Sequence, residues 1–165
     1  AVVEALATER VAIMRDFLLR EAGGMEPGLD RLLAFARAYR RLALGNAEFY
    51  YLLIGRSGPL AAALSPGREE AAAGRDLIST LALDIRAVAA TGERRSVDAD
   101  QAVLALWAAA HGHVSLELAG CPPLAEMPEH EREAAYLHAI LAMLRGVEAL
   151  AADASGSGRD DVVSD

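Results

Sequence analysis

The stretch Leu104-Ala105-Leu106-Trp107-Ala108-Ala109-Ala110-His111-Gly112-His113-Val114-Ser115-Leu116-Glu117-Leu118 decides the fold. At about 100° per residue, Leu104, Trp107, His111, Val114 and Leu118 share one side of a helix. His113 falls opposite, near Leu106, Ala110 and Glu117. A third strip carries Ala105, Ala108 and Gly112, small residues that let another helix approach closely. A helix with apolar groups on nearly every side needs packing partners on nearly every side. Such a segment belongs inside an assembly of helices.

The rest of the chain supplies them. Gly and Pro sit in clusters, and the segments between clusters read as helices. The first runs from Val2 to Glu21, carries Val3, Leu6, Ile13, Met14, Phe17 and Leu18, and ends at Gly23-Gly24. The second runs from Gly28 to Leu44. Its stripe is Leu29, Leu32, Phe35, Ala36, Tyr39, Leu42 and Ala43, with Arg31, Arg37, Arg40 and Arg41 largely off it. Asn46 caps a third helix, Ala47 to Ile54, that is apolar nearly all round and therefore expected to be buried on more than one side. Leu60 to Leu64 suits a short turn of helix. Ser65-Pro66 opens a fourth, with Glu69 and Glu70 in its first turns and a stripe of Leu77, Ile78, Leu81, Ile85 and Val88 ending at Gly92. Asp98 with Gln101 three residues on resembles a capping box and begins the fifth, which contains the deciding stretch and runs to Ala119. The sixth starts near Pro128, carries Tyr136, Leu137, Ile140, Leu141, Leu144 and Val147, and fades near Ala152. The expectation is an all-α fold of six helices: one domain over residues 1–152 and a flexible Ser/Gly/Asp-rich tail over 153–165.

Composition agrees. Ala occurs 36 times, every one of the 16 basic residues is Arg, and Phe, Trp and Tyr together supply 8 residues in 165. Ala, Leu, Arg and Glu are strong helix formers. With 53% apolar residues, most of the chain is not intrinsically disordered. One cysteine, Cys121, rules out an internal disulfide and a multi-cysteine zinc site. The longest uninterrupted apolar run is nine residues, Ala102 to Ala110, too short to cross a bilayer. No secretory signal pattern opens the chain, so a cytoplasmic protein is expected. A formal charge of −8 argues against a nucleic-acid grip by these residues.

Motifs for chemistry are sparse. His111 and His113 point about 200° apart on a helix and cannot share one ion. No Glu-x-x-His occurs, and no phosphate loop, nucleophile elbow or hydrolytic triad pattern appears. No catalytic residue, metal site or cofactor is expected. Eight aromatic rings spread over five helices have two readings: they fill the core, or they line a cavity between helices of the kind that takes small molecules. The fifth and sixth helices, both broadly apolar, are most easily satisfied by a two-fold four-helix interface; a crowded monomer core is the alternative.

Residues Leu106 to Gly120 resemble the Trp…His-Gly signature of the WHG-type C-terminal domain of TetR-family transcriptional regulators. Residues Ala38 to Leu53 are similar to that family's preceding pattern, a Tyr-Arg-rich helix running into an Asn-Pro turn; here Ala47 stands where Pro is common, and Asn46 still caps. Trp107 and Asn46 lie about sixty residues apart, in the expected order.

The resemblance implies an all-α homodimer whose last two long helices form a four-helix bundle and whose interior binds a small effector. It makes Met14, Phe17, Phe35, Tyr39, Tyr51, Leu104, Trp107 and His111 candidate ligand-binding residues. Leu106, His113, Glu117, Leu137, Ile140, Leu141 and Leu144 become candidate dimer-interface residues. It further implies a helix-turn-helix head, absent from these residues, that contacts operator DNA, and no membrane partner. Two alternatives stand beside a repressor's effector domain: a stand-alone helical interaction module with a filled core, and a small helical enzyme using His111, Tyr39 and Glu117.

Overall fold

A computed structural model of the chain describes residues 2–54, 72–91 and 98–156. Among these residues six α-helices follow one another: α1 (Val2–Glu21), α2 (Leu29–Gly45), α3 (Ala47–Ile54), α4 (Ala72–Thr91), α5 (Ala99–Leu118) and α6 (Glu129–Gly156). A single 3-10 turn, Leu124–Glu126, joins the last two, and no strand occurs among the described residues. The expected all-α fold is therefore what forms. The expected opening of the fourth helix at Ser65-Pro66, with Glu69 and Glu70, lies outside the described residues, as do Leu60 to Leu64 and Gly92. α6 continues through Asp153 to Gly156, so the first four residues of the expected tail are helical.

Local chemistry explains the boundaries. The Asn46 side chain accepts the Phe49 backbone N–H at 2.9 Å and starts α3. The Asp98 carboxylate accepts from the N–H groups of Asp100 and Gln101 and starts α5. α5 ends where Gly120 takes φ 65. There the Cys121 N–H reaches back to Leu116 O and the Gly120 N–H to Glu117 O, the six-to-one and five-to-two pair of a Schellman turn.

α2 is the axle of the fold, touching each of the five other described helices. Leu32, Phe35, Ala36, Ala38 and Ala43 are buried on it. Against it lie Val11, Met14 and Leu18 of α1, Leu77, Leu81 and Ile85 of α4, and Tyr136, Ile140 and Leu144 of α6. The α6 residues recur every four positions, one ridge packed inward. Truncating Ile140, wholly buried, to Ala would cost about 2–5 kcal/mol.

Three sequence expectations need correction. α3 is not buried on several sides: Tyr50 is enclosed, but Tyr51 and Leu52 face outward. Leu29 and Ile13, placed on inward stripes, are exposed. Arg40, placed off the stripe of α2, is 3% exposed, because it sits between Ala36 and Ala43 on the same helical face and finds carboxylates there.

Candidate functional site

The inward faces of the helices leave a cavity of about 50 Å³. Met14 and Leu18 of α1 form one wall. Leu32, Phe35, Ala36 and Tyr39 of α2 form the second, Leu77 and Leu81 of α4 the third. Leu106, Trp107 and Ala110 of α5, with Tyr136 of α6, close it. No charged side chain lines it, so it suits an uncharged, mainly apolar guest.

A polar cluster sits against the α2–α5 side of the cavity. The Tyr50 hydroxyl lies 2.7 Å from His111 Nδ1, 2.8 Å from Ser115 Oγ, and 3.1 Å from the His111 carbonyl, to which it donates. The Tyr39 hydroxyl lies 3.3 Å from the same Nδ1. Tyr39 also tilts against Trp107, with ring centroids 6.2 Å apart, and meets the Tyr50 ring edge-on. Burial pushes the Tyr39 and Tyr50 hydroxyls up and the His111 imidazole down, so near neutral pH all three stay uncharged.

Two ionic clusters clamp the helices around the cavity. Arg40 donates from Nε and Nη2 to Glu117 and from Nη1 to Glu129 at 2.8 Å, and Arg132 joins both carboxylates. Burial alone would lower the Arg40 guanidinium; the bonds to Glu117 and then Glu129 raise it instead. The Glu129 carboxyl, held by Arg40 and then Arg132, is lowered to about 2. On the far side of α2, Asp84 of α4 is fully buried and accepts from Arg31 Nε at 2.8 Å and the Gly28 backbone N–H at 2.9 Å. That tertiary contact serves the N-terminus of α2, where no local side chain caps.

The structure gathers four of the eight candidate ligand residues, Met14, Phe35, Tyr39 and Trp107, on the cavity wall. His111 stands behind Tyr39 and Tyr50. Phe17 is half-buried on α1, with the Arg20 guanidinium 5.6 Å from its ring. Tyr51 and Leu104 are off the wall and more than half exposed. Of the rest of the wall, Leu18, Leu32, Leu77 and Leu81 stand in the sequence only as ordinary stripe residues, and Leu106 as a candidate for the dimer interface. Attention to aromatic rings passes over aliphatic ones.

The seven candidate interface residues mostly turn inward. Leu106 lines the cavity, Ile140 and Leu144 are core, and Glu117 is bound by Arg40 and Arg132. The His113 ring packs against Tyr136, centroids 5.4 Å apart, and its Nε2 is buried with no hydrogen-bond partner among the described residues. Leu137 and Leu141 are half-buried. What faces outward on α5 is the small-residue strip: Ala108 and Gly112, flanked by Leu104 at 60% and Leu116 at 51% exposure. Apart from Leu104, both sides that periodicity distinguished on this helix belong to its buried arc. The three residues of the enzymatic alternative are divided: His111 associates with Tyr39 and Tyr50, Glu117 with the arginines.

A helical domain closed round an apolar cavity is the class this geometry defines. The chain belongs to the tetracyclin repressor-like C-terminal domain family, which it matches over residues 32–144. This is a family of regulatory domains, and the match bears out the resemblance read from Leu106 to Gly120 and Ala38 to Leu53. No curated protein and no solved structure matches the chain. No helix of the described residues is long and apolar enough to cross a membrane.

Proposed function

We propose that the chain is the effector-binding and dimerisation domain of a cytoplasmic transcriptional repressor. The carrying observation is the uncharged cavity at the meeting point of α1, α2, α4, α5 and α6. At about 50 Å³ it is smaller than the roughly 150 Å³ that accommodates benzene, so a guest of that size must displace a wall. α1 is the wall suited to move. It contributes Met14, an unbranched and adaptable side chain, together with Leu18, while its Ile13 and Leu19 face outward. A guest that prefers the widened cavity shifts the position of α1 by its differential affinity for the two shapes. A helix-turn-helix head attached to α1, not this acidic domain, makes the contact with operator DNA.

Dimerisation is assigned to the outward strip of α5, Leu104, Ala108, Gly112 and Leu116, together with the half-buried Leu137 and Leu141 of α6. Small residues between two leucines allow close helix approach across a two-fold axis.

Trp107, the chain's one tryptophan, reports on the cavity it lines. Titration with toluene is expected to change its emission saturably at one guest per chain. A linear, non-saturating response would contradict the effector-site reading.

A further inference from the structure

His111 Nδ1 offers one lone pair or one proton, not both. Two phenolic hydroxyls approach it. Tyr50 is at 2.7 Å and is anchored besides by Ser115 Oγ and the His111 carbonyl, whereas Tyr39 is at 3.3 Å. The second contact is at the outer limit for a hydroxyl hydrogen bond. The Tyr39 hydroxyl, whose other polar neighbour is the Tyr50 hydroxyl, is thus the more loosely held of the two, and its ring is already part of the cavity wall. Turning it toward a guest leaves Nδ1 served by Tyr50, so the turn strands no buried nitrogen. Burial keeps the Tyr39 phenol protonated and therefore a donor. The remaining wall side chains are hydrocarbon, apart from the Met14 thioether, which donates nothing, the Trp107 indole N–H, and the Tyr136 hydroxyl, which is spent on Ala36 O at 2.9 Å.

We infer that Tyr39 is the specificity-determining residue of the cavity: its hydroxyl turns from His111 to donate to the single acceptor oxygen of a compact, uncharged, mainly hydrocarbon guest. This rests on the cavity being the effector site. The guest class is a small ketone or ester rather than a pure hydrocarbon or a charged molecule. A carboxylate would find no cation on the wall, and an ammonium no anion.

The test uses two probes of equal shape, acetophenone and isopropenylbenzene, which differ by C=O against C=CH2. Affinities for the wild-type chain and Tyr39→Phe are read by Trp107 fluorescence and calorimetry. The wild type is expected to bind the ketone about five- to tenfold more tightly, the worth of one hydrogen bond. In Tyr39→Phe that preference should vanish through loss of ketone affinity, with the hydrocarbon bound as before. An infrared measurement on the wild type needs no variant: the carbonyl stretch of bound acetophenone should lie below its position in hexane. A wild type that binds both probes equally, with an unshifted carbonyl, overturns the role of Tyr39 while leaving the cavity as a binding site. A Tyr39→Phe chain that keeps the preference, or weakens both probes alike, overturns it too. A wild type that binds neither probe removes the effector-site reading itself.

Discussion

Arg40 is where one residue bears most on the fold. It joins α2 to Glu117 on α5 and Glu129 on α6, and both Arg40 and Glu117 are nearly inaccessible. Arg40→Ala leaves the nearly inaccessible Glu117 carboxylate only Arg132 as a partner and should cost about 2–3 kcal/mol, seen as a lower urea midpoint at unchanged slope. Arg40→Met combined with Glu117→Leu removes both charges and should recover most of that loss. Acid acts on the same neighbourhood. His111 and His113 are lowered by burial from 6.5, so below about pH 6.5 the unfolded chain takes up protons that the folded chain refuses, and stability falls. Glu129, depressed from 4.5 to about 2, adds a second loss as pH drops through that interval. Thermal melts from pH 7.5 downward should show a declining midpoint starting near pH 6.5; a flat profile to pH 5 would contradict the buried, neutral histidines. The ion pairs were not legible in the sequence. Polar residues read by periodicity are sent outward, and the partners that hold Arg40 and Asp84 inside lie on other helices.

At the scale of elements, the sequence was readable because punctuation is local. Val2–Glu21 and Ala47–Ile54 match their expected limits, and the other described ends differ by a residue or a few. Asn46 and Asp98 do what cap residues do, and Gly120 supplies the left-handed turn. Asp98→Ala should therefore cost about 1 kcal/mol in a denaturant titration, without altering the slope. The faces of the helices were harder. Nine consecutive apolar residues, Ala102 to Ala110, carry no polar mark to show which side meets the core. Leu104 is expected in the ligand site and Leu106 at the dimer interface, whereas Leu104 is exposed and Leu106 is buried. Only Met14 and the rings of Phe35, Tyr39 and Trp107 stood out as wall residues in the sequence, and the aliphatic remainder required the packing of α1, α2 and α4.

At the scale of the whole molecule, the account joins an interior that takes a guest to a surface that pairs two copies. The surface is tested by charge. The wild type is expected to sediment as a dimer, and Leu104→Glu and Leu116→Glu should leave helical content intact and give monomers. Ile140→Glu, at a position with no exposure, should unfold the chain instead. The central claim is that a guest in the cavity is felt by α1, whose Met14 and Leu18 form one wall. Hydrogen exchange of the chain with and without saturating toluene measures this directly. The account predicts altered exchange in α1 around Met14 to Leu18 as well as in α5 around Trp107. Exchange that changes around Trp107 while α1 stays the same would contradict it.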